Sequence, residues 1–208
     1  VAAQRRVVAS DRYRGRMTNL TADAADLIDP ALDAELDVAA DRAQRLDAAG
    51  AAWDERIDAN RASAQFTSRV RGVGEGAVAT RIKVGKHEFV IDEPAGFAGD
   101  DLGPSPVEYA LGALIGCQVV VFRLYSRALG IPFDDISITA EGDLDAARLL
   151  GKDPSVRAGF SAVRLAVKLS GPETQERYEE LLAAVEQNCP VQDLFQNPTP
   201  VTATLSKV

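Results

Sequence analysis

Two cysteines are the residues of this chain whose type is best suited to specific chemistry. Cys117 and Cys189 lie 72 residues apart and are the only cysteines in the sequence. Two are too few for the disulfide framework of a small secreted protein. A free cysteine is usually a buried, inert side chain, and it becomes a nucleophile only where its surroundings favour the thiolate. The local sequence around each cysteine is therefore the first thing to compare.

The sequence places the two thiols in different local settings. Cys189 directly precedes Pro190, which predicts a helix start where free N–H groups and the helix dipole favour a thiolate. Cys117 lies inside a long apolar helix, where burial raises a thiol pKa, so it needs a nearby cation. The small residues before it are Gly112, Ala113 and Gly116. They allow another helix to approach closely. On local sequence alone, Cys189 is the better thiolate.

Two other features of the sequence are candidate sites. Gly72-x-Gly74-x-Gly76 has the glycine spacing of a phosphate loop, but no helix and no P-loop lysine follows, so a turn is the better interpretation. His87 is the only histidine and has no cysteine or acidic cluster at metal-ligand spacing. It is therefore predicted to be an exposed or hydrogen-bonded strand residue. Neither a metal nor a cofactor is expected.

The helix that carries Cys117 is predicted over residues 104–130. Ser105 and Glu108 form a capping box at its start, and Gly130 supplies a stop. Almost every position up to Tyr125 is apolar or small on all sides, which predicts a buried central helix. Its Gly, Gln and Arg residues argue against a membrane span.

The remaining pattern predicts an α+β fold in which an antiparallel sheet is wrapped around the long buried helix. A helix begins at Asp29-Pro30 and carries apolar residues at three- and four-residue spacing. The other predicted elements are a hairpin over 66–94 with turns at Gly72–Gly76 and Gly85, strands at Ile136–Ala140, Val163–Leu169 and Val201–Leu205, a helix at Glu173–Asn188 and a helical turn through Phe195. Composition shifts near Gln65, so residues 1–65 are predicted to be a helical N-terminal extension and 66–208 the main domain.

Charge and hydropathy limit the possible partners. The formal net charge is −8, which argues against nucleic acid or an anionic membrane surface as a partner. No apolar run reaches about 18 residues free of charge, and the polar, arginine-bearing N-terminus does not have the pattern of a signal peptide. A cytoplasmic protein is therefore expected.

The stretch Gly103–Cys117, which reads GPSPVEYALGALIGC, resembles the central-helix motif of the OsmC/Ohr family (osmotically inducible protein C and organic hydroperoxide resistance protein). Three further motifs fall where the broader OsmC-like group would place them: Asp92-Glu93-Pro94, Arg157-Ala-Gly-Phe160 and Cys189-Pro190-Val191. The resemblance covers about residues 66–208. It implies an intertwined homodimer with two active sites.

The resemblance also implies a reaction. Cys117 would be the peroxidatic cysteine of a thiol peroxidase, attacking an organic hydroperoxide and becoming a sulfenic acid. Cys189 would be the resolving cysteine, closing a disulfide that an external dithiol reduces. This assigns first attack to Cys117, against the local argument for Cys189, because the family fold supplies a cation to the attacking thiol.

The charged partners of the thiolate are where the chain departs from the family. The family glutamate stands ten residues before the cysteine, and Val107 occupies that position. Nine residues at about 100° each turn Glu108 to the side of the helix opposite Cys117, so Glu108 is assigned to capping. For the arginine, the hairpin offers Arg69, Arg71 and Arg81. Strand alternation favours solvent for Arg81, and Arg71 is preferred, reaching over the partner subunit's Cys117.

A second interpretation is a catalytically degenerate member that serves as a binding or redox-sensing module. A cleft beside Cys117 would then hold a hydrophobic ligand, and the helical extension would recruit a protein partner. The missing glutamate favours this alternative, whereas the presence of both cysteines favours the enzyme.

Overall fold

The structure is a computed structural model that describes residues 30–207, with side chains from Val38 onward. In chain order its helices and strands are α1 (Pro30–Ala59), β1 (Arg71–Glu75), β2 (Ala79–Val84), β3 (His87–Ile91), α2 (Pro106–Leu129), β4 (Asp135–Asp143), β5 (Ala162–Ser170), α3 (Gln175–Asn188) and α4 (Pro190–Gln196). Helices alternate with antiparallel strands, so the predicted α+β class is confirmed.

The chain divides into two compact units, each built from three separate segments. The first holds the described residues up to Ala64 together with Phe122–Ile136 and Leu169–Ala184. The second holds Gln65–Val121, Ser137–Lys168 and the described residues from Val185 onward. Both cysteines belong to the second unit. The contiguous domain predicted over 66–208, with an extension over 1–65, stays a prediction.

Strands β1, β2 and β3 form an antiparallel sheet in that order, with Glu75 opposite Ala79 and Val84 opposite His87. The turn predicted at residues 72–76 was wrong, because most of that stretch is β1 and the turn starts at Gly76, where φ is +57°. A Cβ on Gly72 would lie 3.1 Å from the Ile82 side chain of β2. A larger side chain at position 72 would therefore crowd the Ile82 side chain, which favours glycine there. The second predicted bend, at Gly85, is confirmed.

Strands β4 and β5 form a separate two-stranded sheet. The Ser161 N–H donates to the Asp143 carbonyl over 2.8 Å at one end, and the Asp134 N–H donates to the Ser170 carbonyl over 2.8 Å at the other. These bonds make the pair antiparallel. The strand predicted at Val201–Leu205 was wrong: residues 197–207 contain no strand, and Leu205 is 99% exposed. Alternation alone does not make a strand where no neighbouring strand accepts its hydrogen bonds.

Helix α2 begins at the capping box that the sequence predicted. The Glu108 carboxylate accepts hydrogen bonds from the N–H and the hydroxyl of Ser105, both over 2.7 Å, and the Ser105 hydroxyl accepts one from the Glu108 N–H. The helix ends before Gly130, whose φ of +63° is typical of a C-terminal stop. The predicted capping box and stop are confirmed.

One face of α2 is buried in the single chain and another is not. Leu114, Gln118, Val121 and Phe122 are buried, whereas Val120 is 57% exposed and Leu124 is 41% exposed. Of the helices in the described part of the chain, α2 is the one long and apolar enough to cross a membrane by length and composition. Its Gly, Gln and Arg residues therefore do not rule out a span on composition alone.

Helix α1 begins at Pro30, as predicted, and continues through Gly50 without a break. Of its predicted apolar stripe, Leu46 and Ile57 are partly covered and Trp53 is exposed. The guanidinium of Arg127 holds Asp47 through two hydrogen bonds of 2.8 and 2.5 Å within the first unit. The predicted features at Asp29, Leu32 and Leu36 lie outside the described side chains.

Candidate thiol site

The two cysteines come together within the second unit. Cys117 is partly exposed on α2, and Cys189 is 2% exposed at the junction of α3 and α4. Both are free thiols, and they lie close enough for Cys189 to raise the pKa of Cys117. Residues that are 72 positions apart in the sequence thus form one candidate site, at the junction of α2 with the start of α4.

The backbone of Cys189 explains why its side chain lies where it does. Its N–H donates to the Val185 carbonyl over 2.9 Å, which closes α3, and its carbonyl accepts from the Asp193 N–H over 3.0 Å, which opens α4. Pro190 fits the first turn of α4 because the missing N–H there needs no partner. Cys189 therefore occupies the N-cap position of α4, but its thiol makes no capping hydrogen bond.

The helix start that the sequence assigned to Cys189 serves Cys117 instead. The backbone N–H of Val191, in the first turn of α4, acts on the Cys117 sulfur and lowers the pKa of this thiol, which favours its thiolate. The Cys189 thiol makes no capping hydrogen bond at this helix start. The local argument named the correct helix start, and its conclusion that Cys189 is the better thiolate stays a prediction.

Burial is the largest influence on the ionisation of Cys117. It raises the pKa of the Cys117 thiol, and the Val191 N–H offsets part of that rise. Cys189 raises the pKa of Cys117 further, through the interaction of the two side chains and through the negative charge of Cys189 when it is ionised. In the single chain these influences together favour the neutral Cys117 thiol, as expected for a cysteine inside an apolar helix.

The three candidate arginines lie in the region of β1 and β2. Glu75 holds Arg81 with hydrogen bonds of 2.7 and 2.8 Å, and Glu88 adds a third of 3.1 Å, which together raise the Arg81 pKa. Arg71 is exposed opposite Lys83, and Arg69 is exposed before β1. Within the described residues, none of the three is among the groups that shift the Cys117 pKa. The assignment of Arg71 to the site stays a prediction.

Glu108, the acidic residue before Cys117, caps the start of α2, as predicted. Both hydrogen bonds from Ser105 lower the pKa of Glu108, so its carboxylate is fully used at the start of α2. Val107, at the position of the family glutamate, lines a cavity instead of presenting a carboxylate.

This cavity of about 780 Å³ lies in the second unit, which also contains both thiols. Leu114, one turn before Cys117, and Gln192, directly after Val191, are part of its wall, whereas neither cysteine lines it. Most of the wall is apolar: Pro106, Val107, Ala110, Leu144, Phe160, Val163, Leu165, Leu194 and Phe195. Its charged residues are Glu93, Asp145, Arg157 and Glu186. An apolar site with a few polar groups is suited to a small organic ligand.

Aromatic packing fixes one wall of the cavity. The rings of Phe160 and Phe195 are stacked, with centroids 6.2 Å apart. A Cβ on Gly142 of β4 would lie 2.5 Å from the Phe160 ring, so only glycine leaves room for this ring. Phe160 and Arg157 belong to the motif noted in the sequence, and the structure places both at the cavity.

A family model described as OsmC-like protein matches residues 99–204, about half of the chain. The chain belongs to the OsmC family. Solved structures similar to it include the OsmC-like protein from Mycoplasma pneumoniae, with 16% identity, a TM-score of 0.55, and coverage of 64% of this chain and 89% of that one. The organic hydroperoxide resistance protein OsmC from Legionella pneumophila shows 21% identity, a TM-score of 0.51, and coverage of 64% and 91%. At these identities the similarity shows the fold. No curated protein sequence matches the chain.

The OsmC match contains most of the candidate site. Both cysteines, the Ser105–Glu108 capping box and the Arg157–Phe160 motif fall within residues 99–204. The arginines Arg69, Arg71 and Arg81 precede the matched range. The match therefore contains the helices that carry the thiols and does not contain β1 and β2.

Two glutamines of this OsmC-family chain were missed at the sequence level. Gln118, directly after Cys117, is 0% exposed, and its Nε2 donates to Oε1 of Gln192 over 2.5 Å. Its own Oε1 is buried and has no hydrogen-bond partner among the described residues. The sequence feature that could have indicated Gln118 is a polar amide side chain directly after a cysteine in an otherwise apolar helix. No spacing rule connects it to a partner 74 residues away.

Proposed function

We propose that this OsmC-family protein is a cytoplasmic, Cys-based thiol peroxidase that reduces organic hydroperoxides in defence against oxidative stress. The observation that supports this most directly is the contact between the Cys117 and Cys189 thiols next to an apolar cavity. Two free thiols on separate elements can form and release a disulfide without unfolding of the chain. That is the minimum requirement of a two-cysteine peroxidase.

The proposed cycle has three steps. The Cys117 thiolate attacks the outer oxygen of the hydroperoxide, the O–O bond breaks, and the organic fragment leaves as an alcohol after protonation. Cys117 is then a sulfenic acid. The Cys189 sulfur attacks it, forming an S–S bond and releasing water. An external dithiol reduces this disulfide by exchange, is itself oxidised, and restores both thiols.

The cavity supports an organic rather than an inorganic peroxide as substrate. Its volume of about 780 Å³ lies within the range of about 300–1,000 Å³ that is typical of small-molecule sites. Leu114 and Phe160 offer apolar surface to an alkyl or aryl group, and Arg157 adds one cation to the wall. An organic substituent in the cavity would lie one helical turn from Cys117.

The proposed assembly is a homodimer. An exposed apolar face on α2, which includes Val120 and Leu124, and the fully exposed strand β1 both leave surface uncovered in the single chain. A second copy would cover such surface, and burial of apolar area is the main force in stable association. Light scattering should give twice the chain mass of 22.2 kDa. A stable monomer at micromolar concentration would contradict the dimer.

The reaction can be tested by mass spectrometry under non-reducing conditions. The reduced protein is treated with one equivalent of an organic hydroperoxide and then digested. We expect a peptide pair joined by Cys117 and Cys189 within one chain, and its loss after dithiol treatment. Protein whose thiols were alkylated beforehand is the control. Two free thiols, or separate sulfonic acids on each cysteine, would contradict the proposed cycle.

Arg71 is proposed as the cation that activates Cys117, supplied by the partner subunit. Arg71→Ala should slow alkylation of Cys117 about tenfold, which corresponds to one pKa unit or about 1.36 kcal/mol. Arg81→Ala is the matched control, because Glu75 and Glu88 already occupy the Arg81 guanidinium. Equal alkylation rates in wild type and in the Arg69, Arg71 and Arg81 variants would remove the arginine from the proposal.

The second candidate function is a binding or redox-sensing module that keeps the OsmC fold without peroxidase turnover. Val107 at the family glutamate position and the raised Cys117 pKa favour it, since both leave the thiol less nucleophilic. In that case the cavity binds a hydrophobic ligand, while added hydroperoxide leaves the thiols unchanged. Hydrophobic-dye binding that is retained in a Cys117→Ala variant, together with no disulfide in the wild type, would favour this function.

A further inference from the structure

We propose that Gln118 and Gln192 are positioning residues, whose side-chain hydrogen bond holds α4 so that the Val191 N–H and the Cys189 thiol stay at the Cys117 sulfur. The proposal extends the proposed function by naming what organises the thiol pair. It concerns the reactivity of Cys117 as well as turnover, and so it can be tested without a peroxide.

The geometry places the amide pair next to each thiol partner. Gln118 is the residue after Cys117 on α2, and Gln192 is the residue after Val191 on α4. Their hydrogen bond of 2.5 Å joins the two helices within one residue of the Cys117 sulfur on one side and the Val191 N–H on the other. A shift of α4 along α2 would have to break this bond first.

Helix α4 needs such a tie. It spans seven residues, Pro190–Gln196, and isolated helices shorter than about 12 residues are marginal in water. Its place is therefore set by tertiary contacts. Among the described contacts of α4, the stacking of Phe160 on Phe195 lies in the cavity wall, whereas the Gln118–Gln192 bond lies beside the contact of Val191 with Cys117.

Packing alone does not account for Gln118. A fully buried amide with one unpaired oxygen lowers stability relative to an apolar side chain of the same volume. Methionine would fill a similar space without an unpaired polar atom. A residue that is unfavourable for stability and adjacent to the reactive sulfur points to a positional role.

The test uses Gln118→Met, Gln192→Met and the double variant, with the Cys117 peptide followed by mass spectrometry during alkylation across a range of pH. Loss of the bond should release the Val191 N–H from the sulfur and move the midpoint of the profile upward. We expect alkylation at pH 7 to slow about tenfold in each single variant, which corresponds to one pKa unit. The double variant should be no slower than either single one, because both remove the same bond.

Gln187→Met is the matched control, since Gln187 is an exposed glutamine near the end of α3, two residues before Cys189, and does not line the cavity. Its profile should equal that of the wild type. The unfolding free energy of Gln118→Met should be at least that of the wild type, which separates a positional effect from loss of fold. If Gln118→Met fails to fold, the profile of Gln192→Met decides alone.

Two results would overturn the proposal: wild-type alkylation profiles in both single variants, or additive shifts in the double variant. Neither result depends on peroxidase activity. If the wild type forms no disulfide with hydroperoxide, the proposed function fails while the alkylation profiles still decide the role of the glutamine pair.

Discussion

Two helices of the second unit, α2 and α4, begin in opposite ways. At the start of α2, Ser105 and Glu108 satisfy one another through three hydrogen bonds. At the start of α4, Cys189 occupies the N-cap position without a side-chain bond, and the Val191 N–H lowers the pKa of a thiol from another helix. The first start is closed by its own residues, whereas the second leaves a donor for Cys117.

This difference separates two uses of the same backbone feature. Every helix start leaves N–H groups that need partners. Where a side chain of the same helix supplies the partner, the start contributes to stability and offers nothing to a reaction. Where no side chain does, a donor is available to a group that has to carry negative charge. Changes at α4 should therefore alter thiol chemistry, and changes at α2 should alter stability.

The largest effect is expected at α4 from Cys189→Ala. In the proposed cycle Cys189 resolves the Cys117 sulfenic acid, so hydroperoxide treatment of this variant should give no intramolecular disulfide and dithiol-dependent turnover should fall to background. Cys117 should accumulate as sulfinic or sulfonic acid instead. Intact-mass spectrometry after a stepwise peroxide titration measures this. Undiminished turnover in Cys189→Ala would contradict a role of the α4 start in the thiol chemistry.

The next effect concerns the pH dependence of Cys117. Burial raises the pKa of this thiol above its ordinary value of 9.0, so its alkylation midpoint should lie above the midpoint of the same protein unfolded in urea. Because the folded-state pKa is the higher one, the stabilising effect of the neutral thiol is complete below the ordinary pKa and is lost as the pH rises through the folded value. A folded midpoint at or below the unfolded one would show that a cation outweighs burial.

A smaller effect is expected at α2 from Ser105→Ala. Loss of a serine N-cap costs about 1 kcal/mol, so the unfolding free energy from urea titration should fall by about that amount. The alkylation rate of Cys117 should stay at the wild-type value, which makes the same variant a control for the chemistry. A change in alkylation rate without a change in stability would reverse the comparison.

The smallest effect is expected from Glu108→Gln and depends on pH. Hydrogen bonds from Ser105 lower the pKa of Glu108 below its ordinary value of 4.5. The stabilisation by the carboxylate is therefore present above that value and lost as the pH falls through the folded-state pKa. Wild type should be the more stable protein at neutral pH, and the difference should disappear in acid. Urea midpoints at the two conditions test this, and a constant difference would show that charge plays no part.

The sequence predicted local structure correctly where the interacting residues are near one another along the chain. Ser105 and Glu108 are three residues apart, so the helical period brings them together in any fold that keeps the helix. Pro190 and Gly85 mark a helix start and a turn through their own backbone preferences. The α3–α4 junction at Cys189 could be predicted for the same reason.

The predictions were wrong where the structure depends on whether a neighbouring strand is present. Glycines at 72 and 74 suggested a turn, but they lie in β1. At Gly72 the absent Cβ leaves room for the Ile82 and Thr80 side chains of β2. Residues 201–205 alternate like a strand, yet no strand in the described part of the chain pairs with them. These residue types are compatible with a strand and with a turn or irregular segment. The presence or absence of a hydrogen-bonded neighbouring strand decides between them.

The sequence by itself determined that one thiol would lie inside an apolar helix, that another would lie at a helix start, and that burial would raise the pKa of the former. Only the tertiary structure decided that the Val191 N–H faces Cys117 and that Gln118 bonds Gln192 across 74 residues. The reason is physical: the helical period fixes neighbours three or four residues apart, whereas a hydrogen bond between separate helices depends on how their side chains pack.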